Sequence, residues 1–166
     1  MKEKELTVKE CYKILDRYKT PKIVVKHSEG CAKVAYFIGK KLKDNGEKID
    51  LNSVVCASLI HDVFKIIEIK DYTKYLTVKE VKNNKVFWEK LKKRMEGYGH
   101  VSAFAVDFEK KYPLTTNLVL KHRYTQVNNG FDSWEEKIVY YADKLVMFDK
   151  ITTLKKRILD LKKRYY

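Results

Sequence analysis

Residues 50–62 read Asp-Leu-Asn-Ser-Val-Val-Cys-Ala-Ser-Leu-Ile-His-Asp, or "DLNSVVCASLIHD". Asp50 can cap a helix, and from Leu51 to Ile60 almost every side chain is apolar or small. That is the composition of a helix surrounded by others, not of one lying on a surface. A central helix of this kind predicts an all-α protein, a single-domain helical bundle. The helix is expected to run on to His61-Asp62, so an imidazole and a carboxylate stand together where an unpaired charge costs several kcal/mol. Something cationic should compensate the carboxylate.

The flanking segments repeat the helical period. Thr7 and Glu10 form a capping box before a helix that places Val8, Cys11, Leu15 and Tyr18 on one face, closed by Thr20-Pro21. Pro21 starts a second helix with Val24, His27, Cys31, Val34, Ala35, Ile38 and Leu42 on one stripe, ending at Asn45-Gly46. Between residues 66 and 85 the pattern blurs, with a cap offered by Thr77 and Glu80. This stretch reads as a loop, lid or small helix, and Tyr72, Tyr75 and Trp88 near it can cover a site or fill core. Phe87 to Arg94 reads as a helix ended by Gly97 and Gly99, after which His100, Ala103, Phe104 and Phe108 recur at helical spacing. Thr115 or Thr116 caps a short helix bearing Leu118, Val119 and His122, and Asn128-Asn129-Gly130 is a turn. Ser133 with Glu136 opens a helix through Ile138, Tyr141, Ala142, Leu145 and Phe148 that carries Asp143 part-way along. A last basic helix starts at Thr152 or Thr153 and runs to the end. No strand pattern of useful length stands out.

Composition bounds the function. The chain of 166 residues is expected to form one domain, 1–166, and its 45% hydrophobic content excludes a disordered chain. A formal net charge of +14 attracts phosphate-bearing molecules, nucleic acid or acidic membrane surfaces. Cys11, Cys31 and Cys56 form no paired framework, which favours a reducing cytoplasm and packing roles. The start "MKEKELTVKE" is too charged for a secretion signal, and no run reaches the roughly 20 apolar residues of a membrane span. The expectation is a cytoplasmic protein with no membrane association.

All four histidines, His27, His61, His100 and His122, lie on or beside predicted helices among apolar neighbours, as do Asp62 and Asp143. Together they offer the mixed nitrogen and oxygen donors that one or two divalent-metal sites require. In chain order, His, His-Asp, His, His and Asp resembles the motif of HD-domain phosphohydrolases of the dinuclear type. "KHSEGCAKVA" around His27, "ASLIHDVFK" around His61 and "EEKIVYYADKL" around Asp143 look like that family's first-histidine, His-Asp and last-aspartate helices. Within the family the chain looks nearest to bacterial hydrolases of symmetrical diadenosine tetraphosphate. It departs from them at Phe104-Ala105, where Gly-Ala is usual, and at Val146-Met147-Phe148, where a Glu-Pro with a nearby Arg is usual.

The resemblance implies that His27, His61, Asp62 and Asp143 hold a first divalent ion, with Asp62 bridging to a second ion completed by His100 and His122. It further implies hydrolysis of a phosphoester or phosphoanhydride in a nucleotide or dinucleotide polyphosphate, by water that the two ions activate. Donor chemistry places Fe or Mn first, with Mg, Co, Ni or Zn able to occupy the sites. Asp62 is thereby catalytic, Lys65 is expected to contact phosphate or assist the leaving group, and Arg123 to contact substrate. Cys31, one turn from His27, is read as packing, and Lys144 as surface charge. Two alternatives stay open: an HD-type single-strand nuclease, suited to the positive charge, and a non-catalytic nucleic-acid-binding helical module using "LKKRILDLKKRYY" at 154–166.

Overall fold

The computed structural model describes residues 5–165; residues 1–4 of the charged start and residue 166, expected to end the last helix, lie outside the described part. Helix α1, Val8–Arg17, begins at the expected capping box, with Thr7 Oγ accepting from the Glu10 amide at 3.3 Å and the Glu10 carboxylate accepting from the Thr7 amide at 3.0 Å. It buries Cys11, Ile14 and Leu15, while Val8 in its first turn is exposed at the edge of the bundle. Helix α2, Lys22–Asp44, starts directly after Pro21. Helix α3, Leu51–Ile60, is capped by Asp50, which accepts from the Ser53 amide at 3.0 Å. It touches α1, α2, α6 and α8 and buries Val54, Cys56, Ala57, Ser58, Leu59 and Ile60. The central helix is where its composition puts it.

That helix stops at Ile60 instead of continuing through Asp62. The His61 ring donates from Nδ1 to the Ser58 carbonyl at 2.8 Å, and the following backbone bonds contract to three-residue steps. The Val63 amide donates to Ile60 O at 3.0 Å and the Lys65 amide to Asp62 O at 2.8 Å. A short 3-10 segment, Lys65–Glu68, follows.

Helix α4, Val78–Arg94, is longer than the expected 87–94 because the Thr77–Glu80 capping box forms in full. Only Trp88 and Leu91 of its residues are buried, which is why no apolar stripe marks its first half. Helix α5, His100–Phe108, follows Gly99; α6, Pro113–Lys121, begins at its proline, leaving Thr115 and Thr116 buried inside the helix instead of capping it. A single turn, α7 (Gln126–Asn129), ends at Gly130 with φ of 75°. Helix α8, Trp134–Leu145, has Ser133 as its cap, but the Glu136 carboxylate turns to the Asp132 amide (2.9 Å) and Asn117 Nδ2 (3.1 Å), tying α8 to α6.

After α8 the chain forms a small antiparallel hairpin, β1 (Val146–Met147) and β2 (Lys150–Ile151), with Val146 opposite Ile151. Phe148, expected to extend α8, sits in its turn with φ of 58°. Helix α9, Leu154–Tyr165, rests on α8. Among the described residues no helix is long and apolar enough to cross a membrane, and the three cysteines are free and buried.

Candidate metal centre

The six candidate donors come from five segments. His27 lies in α2, His61 and Asp62 follow α3, His100 is the first residue of α5, His122 ends α6, and Asp143 lies in the last turn of α8. The four rings share one orientation. Nδ1 of each faces an outer acceptor: Phe148 O for His27 (3.0 Å), Ser58 O for His61 (2.8 Å), Glu68 Oε1 for His100 (2.5 Å) and Val119 O for His122 (2.5 Å). An acceptor at Nδ1 places the proton there and leaves the Nε2 lone pair for the inner side, as in imidazoles that bind a metal through Nε2 while Nδ1–H is held by an outer acceptor. The hairpin thus has a use: its turn delivers the Phe148 carbonyl to His27. Gly30, one turn after His27, permits this, because a Cβ there would stand 3.0 Å from Val146 Cγ1.

Inside the ring of imidazoles two carboxylates divide the contacts. Asp143 Oδ1 lies 3.1 Å from His27 Nε2 and 3.7 Å from His61 Nε2. Asp62 Oδ1 lies 3.1 Å from His100 Nε2 and 4.0 Å from His122 Nε2, while its Oδ2 is 3.7 Å from His61 Nε2. One Asp62 oxygen therefore faces each side. Two sets of donor atoms lie within 4.8 Å of one another, His27–Cys31–His61–Asp143 and His61–Asp62–His122. His61 Nε2 is buried and has no hydrogen-bond partner. A buried lone pair facing carboxylates with no donor supplied is a poor arrangement for a protein alone and a good one for a cation. The residues present fit a divalent metal.

Electrostatics agree with this. Burial, then the neighbouring His61 charge, pushes His122 down to about 3, so its ring is neutral at ordinary pH. For His61 burial opposes the charged form, but Asp62 and Asp143 prevail and raise its pKa. His100 behaves likewise, raised against burial by Asp62 and Glu68. Burial opposes ionisation of Asp62 and Asp143 too, yet His61 and His100 around the first, and Lys144, His27 and His61 around the second, hold both well below the usual carboxylate range. The two carboxylates thus favour the charged form of His61 and His100, and these rings in turn favour the charged form of the carboxylates.

A pH dependence follows. A cation competes with protons for the raised His61 and His100 rings, so divalent-ion affinity is expected to rise with pH, with proton release detectable by calorimetry in buffers of different ionisation heat. A pH-independent affinity would contradict it. For the ion-free fold the signs differ by residue. Asp62 and Asp143 stabilise above about pH 4 and lose this as pH falls through their depressed folded values. His61 and His100 stabilise below about pH 6.5 and lose this as pH rises through their raised values. His122 costs stability as pH falls below about 6.5, because the unfolded chain takes up a proton first.

Lys144 is not surface charge: it is buried, its Nζ donates to Asp143 Oδ2 at 2.5 Å and lies 4.7 Å from the Tyr140 ring centroid. An aspartate that needs a counter-charge in an apolar setting draws in the adjacent lysine. Lys65 Nζ donates to Glu68 Oε2 at 3.0 Å, and the exposed Arg123 donates from Nη2 to Ser102 Oγ at 2.6 Å. Glu68, which sequence reasoning passed over inside the blurred segment, thus ties Lys65 to His100, whose amide it also accepts at 3.0 Å. Cys31 points its Sγ at His27 Nε2, 3.5 Å away.

No curated protein and no solved structure matches the chain. The family model of the HD domain aligns with residues 24–147, a stretch that holds all six donors, and the chain belongs to the HD domain family.

Proposed function

We propose that the protein is a metal-dependent phosphohydrolase acting on the phosphoester or phosphoanhydride bonds of a nucleotide or dinucleotide polyphosphate. The observation that carries this reading is the common orientation of the four imidazoles, each with Nδ1 turned outward and Nε2 turned toward Asp62 or Asp143. His27, His61 and Asp143 are assigned to one divalent ion, His100 and His122 to another, with Asp62 between them. Bound there, such ions supply Lewis acidity to phosphate oxygens and make water a better nucleophile near neutral pH. Asp62 orients this assembly through both oxygens, and His122, held neutral, offers its lone pair without first losing a proton. Lys65 and Arg123 bring positive charge to the substrate phosphates. The diadenosine polyphosphates are one class to test within this reading, set against the departures at Phe104-Ala105 and Val146-Met147-Phe148.

The test is elemental analysis of the purified protein together with phosphate release from nucleotides, diadenosine polyphosphates and single-stranded oligonucleotides. Two ions per chain and chelator-sensitive release are expected; a metal-free protein, or release indifferent to chelator, overturns the proposal. The nuclease reading draws on a specific feature: Lys79, Lys82, Lys85 and Lys90 are all exposed on α4, in a chain of charge +14. Oligonucleotide binding that falls steeply with salt, accompanied by strand cleavage, would favour it.

Glu68 offers a smaller check. Replacing it by Ala removes the acceptor that fixes the His100 ring, and ion affinity is expected to fall by about 10- to 100-fold, as for other outer partners of ligating histidines. Glu68→Gln, which keeps an acceptor oxygen, should recover part of it. An unchanged affinity in Glu68→Ala would remove Glu68 from the centre.

A further inference from the structure

The side chain that the metal reading leaves over is Cys31. It lies one helical turn beyond His27 on α2, is 1% exposed, and its Sγ is 3.5 Å from His27 Nε2. The donor atoms of His27, Cys31, His61 and Asp143 all fall within 4.8 Å of one another. His61 Nε2, in the same group, is buried and has no hydrogen-bond partner, so the cluster contains a buried ligand atom that no protein group satisfies.

The spacings match one coordination polyhedron. With metal bonds of about 2.0 to 2.1 Å to nitrogen and oxygen and about 2.3 Å to sulfur, tetrahedral ligands sit about 3.3 Å apart, or about 3.6 Å for a sulfur and a nitrogen. The measured separations are 3.1 Å for His27 Nε2 to Asp143 Oδ1, 3.7 Å for His61 Nε2 to Asp143 Oδ1 and 3.5 Å for Cys31 Sγ to His27 Nε2. The donors stand near the spacing that one bound ion requires.

We propose that Cys31 is a thiolate ligand of the ion held by His27, His61 and Asp143, adding one sulfur to the two nitrogens and one oxygen that these residues supply beside the shared Asp62. The proposal rests on the metal-dependent reading of the centre and adds a donor that the His-and-Asp motif does not contain. In the ion-free protein burial, then Asp143 and Asp62, keep the group a thiol. A divalent cation reverses that local charge, the sulfur–metal bond forms, and the thiol proton leaves to solvent. Sulfur at this position favours Zn, Fe(II) or Co over Mn and Mg, which prefer oxygen. The His100 and His122 side, which has no sulfur in its set, keeps the harder preference.

Cobalt(II) reports the bond directly. Full-length protein loaded with Co²⁺ is expected to show a near-ultraviolet thiolate-to-cobalt charge-transfer band. Cys31→Ser and Cys31→Ala should lose that band, and their Co²⁺ affinity at this position should drop by at least about 10-fold, with circular dichroism confirming the helices. A Cys11→Ala, Cys56→Ala double variant should keep the band, which holds the assignment to Cys31 even if the Cys31 variants fail to fold. Cobalt bound, by elemental analysis, without the band overturns the thiolate while leaving the metal centre standing. A band lost in the double variant also overturns it. No cobalt bound at all overturns both.

Discussion

Asp62→Asn is expected to lower metal-dependent phosphate release by about three orders of magnitude, comparable to removing a principal electrostatic contact from an active site, while leaving the helical fold in place. The carboxylate faces three imidazoles, at 3.1 Å from His100, 3.7 Å from His61 and 4.0 Å from His122. An amide of the same shape halves the acceptor capacity and removes the charge that both ions would share. Stability should move much less than activity, because the side chain lies at the end of α3 and not within the apolar core. Phosphate release assayed beside far-ultraviolet circular dichroism and metal content separates the readings. Full phosphate release in Asp62→Asn, or in His61→Ala, would remove these residues from the reaction, whereas no release from the parent protein with any divalent ion would leave a binding module as the better account of the chain. Loss of activity together with loss of the fold would leave the assignment to be made by metal content in the variants that remain folded, where a retained second ion counts against a bridging Asp62.

The largest effect on stability is expected at Trp88, which is none of the donors. Its side chain is 0% exposed, its ring lies 5.5 Å from that of Tyr72, and its Nε1 donates to the Lys19 carbonyl at 2.9 Å. Lys19 itself holds φ of 50°, a left-handed backbone conformation that a lysine adopts at some cost. Trp88 therefore fills the space between α4 and the end of α1 and also braces the turn that leads into α2. Trp88→Ala should cost about 3 to 5 kcal/mol, lowering the melting temperature by roughly 10 °C for a chain of this size. Trp88→Phe keeps most of the buried surface and loses the N–H bond, so about 1 kcal/mol is expected. Thermal unfolding of the two variants side by side checks both; an alanine variant melting within a couple of degrees of the parent would show that the indole is not what holds α4.

What could be read before the structure depended on how many residues carry each signal. The caps at Thr7, Asp50, Thr77 and Ser133 are local hydrogen-bond patterns, and all four begin helices. The central position of α3 was legible because six of its ten residues are buried, so almost any face of it is apolar. The 146–151 hairpin was not, since two-residue strands carry no alternation, and it forms because Gly30 leaves room for Val146. The break after Ile60 was hidden as well, because it comes from the His61 side chain capturing the Ser58 carbonyl and not from any helix-breaking residue. At the centre, the histidines and aspartates stood out by being few and set among apolar neighbours. Cys31 and Lys144 did not, since a cysteine ordinarily packs and a lysine ordinarily faces water; only their neighbours, His27 and Asp143, give them another task. Glu68 had no signal at all: its partner His100 is 32 positions away.

The donors are spread from residue 27 to residue 143, and the segments that carry them are otherwise joined only by side-chain packing and a few polar contacts. Anything that bonds to them at once ties the polypeptide into nested rings, which shrinks the number of shapes open to the unfolded chain in the way that a set of cross-links does. A loaded centre should then slow the parting of α2 from α8 and of α3 from α5, so that tolerance to heat and to proteases becomes a property of what occupies the middle of the molecule as much as of its oily interior.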